Sequence, residues 1–159
     1  MELLRIHNNQ IDVIEDLAFV NLVSLKSIQV DSNKLKHWNR EWFTNTTKLE
    51  IMNFQNNKIR TIPRRAFAML NKISAKDVTL DNNPWKCPCL DRIAYWVYKN
   101  NGTIRASSEC AGGRIPVCAY PSTFSQTCLE HVDEDVTKKY LKNLKSLDPP
   151  LPEYCVLPD

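Results

Sequence analysis

The chain has 159 residues, a formal net charge of +3, 25% charged and 43% hydrophobic residues. That is one domain's worth of ordinary globular composition, and neither disorder nor a strong general affinity for nucleic acid is implied by these totals. No apolar run reaches the ~18 residues of a membrane span, and the six cysteines, all after residue 86, point to a stapled subregion in an oxidising compartment.

Taken in chain order, the first 83 residues repeat. Asn9, Asn33 and Asn57 are 24 residues apart, and Asn83 follows after 26. Aligned on them, the first unit reads Leu4, Ile6, Asn9, Ile11, Ile14, Phe19, Leu22. The second reads Ile28, Val30, Asn33, Leu35, Trp38, Phe43, with Thr46 in the last place, and the third reads Met52, Phe54, Asn57, Ile59, Ile62, Phe67, Leu70. A fourth is partial, with Val78, Leu80 and Asn83. Each unit predicts a short strand with period-two alternation, a sharp turn at the asparagine and a return segment. The asparagine side chain both donates and accepts, so a ladder of them can satisfy turn backbone that faces the interior. Phe19, Phe43 and Phe67 are expected to form a second ladder on the convex side.

This pattern resembles the leucine-rich repeat in its 24-residue extracellular form. The resemblance implies an α/β repeat solenoid whose short parallel strands are closed by a disulfide-bonded helical cap. The expected divisions are repeats over 1–83, a cysteine-rich cap over 84–130, and a helical then Pro-rich tail over 131–159. Met1 begins a unit with no basic n-region, apolar h-region or polar N-terminal cap. The expectation is therefore the C-terminal part of a longer secreted or surface protein, whose open first repeat self-associates when expressed alone.

Asn83-Pro84-Trp85, then Cys87-Pro88-Cys89, marks the junction. Trp85 is expected to cover the end of the repeat core. Leu90 to Asn100 predicts a helix with Leu90, Ile93, Trp96 and Val97 on one face, stopped at Asn100-Asn101-Gly102. This layout is similar to the family's C-terminal cap, which implies Cys87 paired with Cys110 and Cys89 with Cys128. Cys118-Ala119-Tyr120-Pro121 also resembles the surroundings of the family's third bridging cysteine, so Cys118 competes with Cys110. Six cysteines allow fifteen pairings. A Cys118–Cys155 bridge is the expectation for the remaining pair, with a link to another chain as the alternative. In the tail, Glu134 to Leu147 predicts a helix with Val136, Tyr140, Leu141, Leu144 and Leu147 on one side. It either packs back on the cap or serves as a partner helix, so a homo- or hetero-dimer would form through it or through Cys155.

Chemistry is sparse. His7, His37 and His131 sit with no nucleophile partner, three glycines leave no phosphate loop, and Cys-Pro-Cys lacks a second pair at zinc spacing. An enzyme, a metal and a cofactor are all disfavoured. Asn45-Thr46-Thr47 and Asn101-Gly102-Thr103 are N-glycosylation acceptors in a secreted chain. The concave strand face is the expected ligand site, through Arg5, His7, Asn8, Gln29, Asp31, Asn53, Gln55, Thr79 and Asp81. Lys58, Arg60, Arg64, Arg65, Lys72 and Lys76 form a run without an acid that would suit an anionic partner. The resemblance implies extracellular or cell-surface recognition of a protein or glycan, in innate immunity, adhesion or guidance, with no nucleic acid. Two alternatives are a membrane-proximal fragment of a Toll-like ectodomain whose span lies downstream, and a matrix protein that binds sulfated glycans through residues 58–76.

Overall fold

A computed structural model of the chain describes residues 1–105, 116–121, 127–128, 135–147 and 150–153. Its strands are β1 (Leu3–Arg5), β2 (Ser27–Gln29), β3 (Ile51–Asn53), β4 (Asp77–Thr79) and β5 (Thr103–Arg105). They form one parallel sheet in the order β1-β2-β3-β4-β5. The first four come from the repeats, so the 24-residue period sets the stacking. The fifth comes from beyond the repeats and was not legible as a strand.

The apolar positions stack as the period requires. Ile28, Val30, Leu35, Met52, Phe54, Ile59, Ile62, Val78 and Leu80 are all fully buried. Trp38, Trp42, Phe43 and Phe54 pack ring on ring, with Trp38 and Phe54 stacked at 4.4 Å. Phe19 stacks on Phe43 at 6.1 Å, while the guanidinium of Arg92 lies 4.1 Å over the Phe67 ring. In the first repeat Leu4, Ile6, Ile11, Ile14 and Leu22 are only partly buried, because a unit buries its apolar face against both neighbours.

The asparagines form the ladder. Asn57 accepts from the backbone N–H of Leu35 at 3.1 Å, and its amide donates to the carbonyls of Val30, Phe54 and Gln55. Asn33 and Asn83 repeat this with Ile11 and Ile59 as donors, at 3.2 and 3.1 Å. Asn9, which is exposed, makes only the two local bonds to Ile6 and His7.

The return segments differ for local reasons. Only the third is helical, α1 (Arg64–Leu70). Arg-Arg-Ala-Phe-Ala-Met-Leu has no β-branched residue, whereas the second unit carries Thr44, Asn45 and Thr46 at equivalent places.

Trp85 is fully buried, and its indole donates to the carbonyl of Leu80 at 2.8 Å. The cap helix α2 (Cys87–Lys99) begins three residues before the expected Leu90, because Pro88 fits the first turn of a helix. Leu90, Ile93, Trp96 and Val97 face inward, and the Trp96 indole donates to the carbonyl of Leu70 at 2.8 Å. The chain then reverses at Asn101 (φ 60) and Gly102, and β5 joins the sheet edge beside β4. Gly102 is required by closeness: an added Cβ would lie 2.5 Å from the carbonyl oxygen of Ala75 and 2.9 Å from Val97. Gly102→Ala is expected to cost about 1–3 kcal/mol by overpacking. Chemical denaturation checks this, and an unchanged midpoint would mean the reversal is loose.

The bridges are Cys87–Cys118 and Cys89–Cys128, with Cα–Cα separations of 5.1 and 4.5 Å. The expected Cys87–Cys110 and Cys118–Cys155 pairings are therefore corrected. The segment around Ala119 lies alongside Trp85–Cys87: Ala119 N–H donates to Trp85 and Cys87 N–H donates to Ala119, both at 2.9 Å. That pairing places Cys118 at Cys87. Cys110, Cys155, His131 and Glu134 lie outside the described residues. The tail helix α3 (Asp135–Lys145) packs back on this segment through Val136, Tyr140 and Leu144 against Ala119 and Val117.

Candidate ligand-binding face

With Ile28 and Val30 inward, the alternate residues of each strand face the other way, and the register sets them in rows. The first row is Leu3, Ser27, Ile51, Asp77, Thr103, and the second is Arg5, Gln29, Asn53, Thr79, Arg105. Backbone bonds continue the stacking past the strand ends, from Asn8 N–H to Asp31, from Ser32 N–H to Gln55 and from Asn56 N–H to Asp81. A third row, His7, Asp31, Gln55 and Asp81, follows, then a fourth of Asn8, Ser32, Asn56 and Asn82.

The fourth row has a chemistry that sequence reasoning missed. All four residues have φ between 55 and 57, the left-handed region that asparagine tolerates better than most residues. The side chains of Ser32, Asn56 and Asn82 form a second, directional ladder. The Tyr140 hydroxyl donates to Asn82 Oδ1 at 3.2 Å, Asn82 Nδ2 to Asn56 Oδ1 at 2.7 Å, and Asn56 Nδ2 to Ser32 Oγ at 3.3 Å. The recurring polar residue just before each ladder asparagine was the available signal. Burial, with the charge of Asp81 adding to it, pushes the Tyr140 phenol above its ordinary range. It is neutral and available as this donor at physiological pH.

The helix α3 thus ends the face. Asp81, expected as a ligand contact, is only 2% exposed, so it is not accessible to a ligand in this arrangement. Arg5 and Asn8 are exposed, while His7, Gln29, Asp31, Asn53, Gln55 and Thr79 are half-buried. Asn53 Oδ1 accepts from the Gln55 backbone N–H at 3.2 Å. Arg105, which was missed because β5 was missed, reaches across to Asp77 with Nε 2.7 Å from the carboxylate. Leu3 and Ile51, 43% and 41% exposed, give the otherwise polar rows an apolar component. A cleft of ≈ 250 Å³ lies between α3 and residues 150–153, and another of ≈ 220 Å³ lies at Asp16, His37 and Thr61. Neither touches the strand rows.

The basic run does not stay together. Lys58 and Arg60 follow β3, Arg64 and Arg65 lie on α1, and Lys72 and Lys76 precede β4, so one unit's contour carries them round the solenoid. Arg65 is paired with Glu41 at 3.1 Å. Both sequon asparagines, Asn45 and Asn101, are exposed, as are Thr47 and Thr103. Among the described residues no helix is long and apolar enough to cross a membrane.

The leucine-rich repeat family profile matches residues 1–43 and 23–83, together more than half the chain. The protein belongs to the leucine-rich repeat family and carries a disulfide-bonded C-terminal cap. It is 25% identical to trophoblast glycoprotein of Macaca fascicularis, over 76% of this chain and 27% of the relative. It is 30% identical to the leucine-rich repeat transmembrane protein FLRT2 of Mus musculus, over 54% of this chain and 20% of the relative. The chain thus spans about a quarter of the length of these relatives. Human trophoblast glycoprotein superposes with a TM-score of 0.55 at 23% identity, over 85% of this chain and 46% of that one. Toll in its complex with Spatzle, from Drosophila, gives 0.57 at 20%, over 79% and 16%. These structural likenesses are in fold.

Proposed function

We propose that the chain is a non-enzymatic extracellular recognition module that binds a protein ligand through the strand rows. The observation that carries this reading is the outward face of β1 to β5, whose residues are held in register by the parallel sheet. Its side chains combine amides, opposite charges on Arg5, Asp31, Asp77 and Arg105, and the exposed Leu3 and Ile51. Such a surface offers hydrogen bonds in fixed register and, at Leu3 and Ile51, a small apolar contribution, which suits a folded partner. Extracellular placement is supported by the two bridges and by relatives named as a glycoprotein and a transmembrane protein. Asn45 and Asn101 are the glycan acceptors of this reading. Treating the chain with a glycosidase after secretion from animal cells should shift its mass at both.

The test is a screen of the disulfide-bonded chain against extracellular domains. The reading expects a partner whose binding weakens about ten-fold or more, a loss of ~1.4 kcal/mol, with Gln29→Arg, Asn53→Arg or Thr79→Arg. Lys72→Glu, on the return side, should leave binding unchanged. Partners indifferent to all three strand variants would overturn it.

A further inference from the structure

We propose a second binding site, for a linear sulfated polysaccharide, on the flank where the chain leaves the strands: a two-by-two set of Lys34, Lys36, Lys58 and Arg60. It shares the extracellular placement above but not the strand face, and two of its four residues lie outside the basic run at 58–76.

The set is built by the stacking. Lys34 and Lys36 alternate about Leu35, and Lys58 and Arg60 alternate about Ile59; both central residues are fully buried, so the cations project outward from an anchored backbone. The Lys58 N–H donates to the Leu35 carbonyl at 2.8 Å, which locks the two segments side by side. Lys34 is thereby stacked on Lys58 and Lys36 on Arg60, at roughly the 5 Å separation of neighbouring strands. The flanking units bound the set. Gln10 and Asp12 occupy the equivalent places in the first repeat, while Pro84 and the buried Lys86 occupy them at the cap.

Charge distinguishes this flank from the others. Among the described residues none of the four cations has an acidic side chain at ion-pairing distance, whereas Arg65 is held by Glu41. The opposite flank, where the chain enters the strands, stacks Glu2, Lys26, Glu50 and Lys76 through their backbones, so acid and base alternate. Glu2 and Lys26 are in fact paired at 3.6 Å. Four like charges held close repel one another, and a bound polyanion relieves that repulsion. No exposed aromatic or large aliphatic side chain lies within the set to anchor a folded acidic protein. A chain polymer with a regular charge spacing needs only the cations, and its sulfates stay charged at any physiological pH.

The experiment is retention of the intact chain on immobilised heparin at about 0.15 M salt. The chain should be retained, and Lys34→Gln/Lys36→Gln/Lys58→Gln/Arg60→Gln should pass straight through. A control, Lys26→Gln/Lys48→Gln/Lys72→Gln/Lys76→Gln, brings the net charge from +3 to the same −1 and should still be retained. Circular dichroism melts confirm that both variants are folded. Desulfated heparin should not compete for the column, and soluble heparin should. Passage of the intact chain, or equal loss in the two variants, overturns the site; competition by polyglutamate equal to that by heparin overturns the polysaccharide assignment. Glycan occupancy at Asn45 and Asn101 reports the extracellular placement separately, so the two failures are distinguishable.

Discussion

Replacing Asn57 with alanine is expected to destabilise the protein by about 4 kcal/mol, while the same change at Asn9 costs under about 1 kcal/mol. Chemically the two residues are identical and sit at the same repeat position; only their surroundings differ. Asn57 is 7% exposed, and its two amide hydrogens are shared among the Val30, Phe54 and Gln55 carbonyls while Oδ1 takes the Leu35 N–H. Alanine leaves these groups buried without partners, at about 1–3 kcal/mol for each bond lost outright. Asn9 is exposed and bonds only to Ile6 and His7, whose carbonyls water can then serve. Asn57→Asp should not rescue, since a carboxylate keeps the acceptor for Leu35 but aims oxygens at three carbonyls. Urea unfolding of the three variants checks this. Equal effects at Asn57 and Asn9 would mean the ladder is ornamental.

The second large effect is expected from the cap. The bridges close loops of sequence separation 31 and 39, and the chain-entropy estimate gives about 4 kcal/mol for either alone. Because the loops overlap, removing both should cost less than twice that. Cys89→Ser/Cys128→Ser should therefore lower the unfolding free energy by about 4 kcal/mol. Pairing can be read independently. Cys87 and Cys89 are too close in sequence to separate by trypsin, so the informative variant is Cys87→Ser. It should free the thiol of Cys118 and leave Cys89 joined to Cys128; a freed Cys110 would contradict the arrangement at Ala119.

The repeats were legible because their signal is redundant: Ile28, Met52 and Val78 recur in register, and so do Asn33, Asn57 and Asn83. Trp85 was legible as a lid because it takes the apolar place of Ile11, Leu35 and Ile59 in the last repeat, just before the first two cysteines. What the sequence hid depends on single long-range contacts. Thr103–Arg105 is too short to show alternation and becomes a strand only because α2 and Gly102 return it to β4. Cys118 is chosen over Cys110 by one bridge, Lys86 to Ala119. Asp81 reads as a surface residue from its place in the repeat, and it is withdrawn because Tyr140, 59 residues later, sits against Asn82. For the same reason the cations at 58–76, adjacent in the chain, separate around a unit, while Lys34 and Lys58, 24 residues apart, stack.

The central claim is that recognition occurs on the strand rows. It is tested most directly by amide hydrogen exchange of the chain, alone and saturated with a protein partner recovered from the extracellular screen. The account predicts slowed exchange in residues 27–31, 53–56 and 77–79, with α1 and residues 44–48 unchanged. Protection confined to α1, to residues 44–48 or to the exposed face of α2, with the strand rows unaffected, would contradict it.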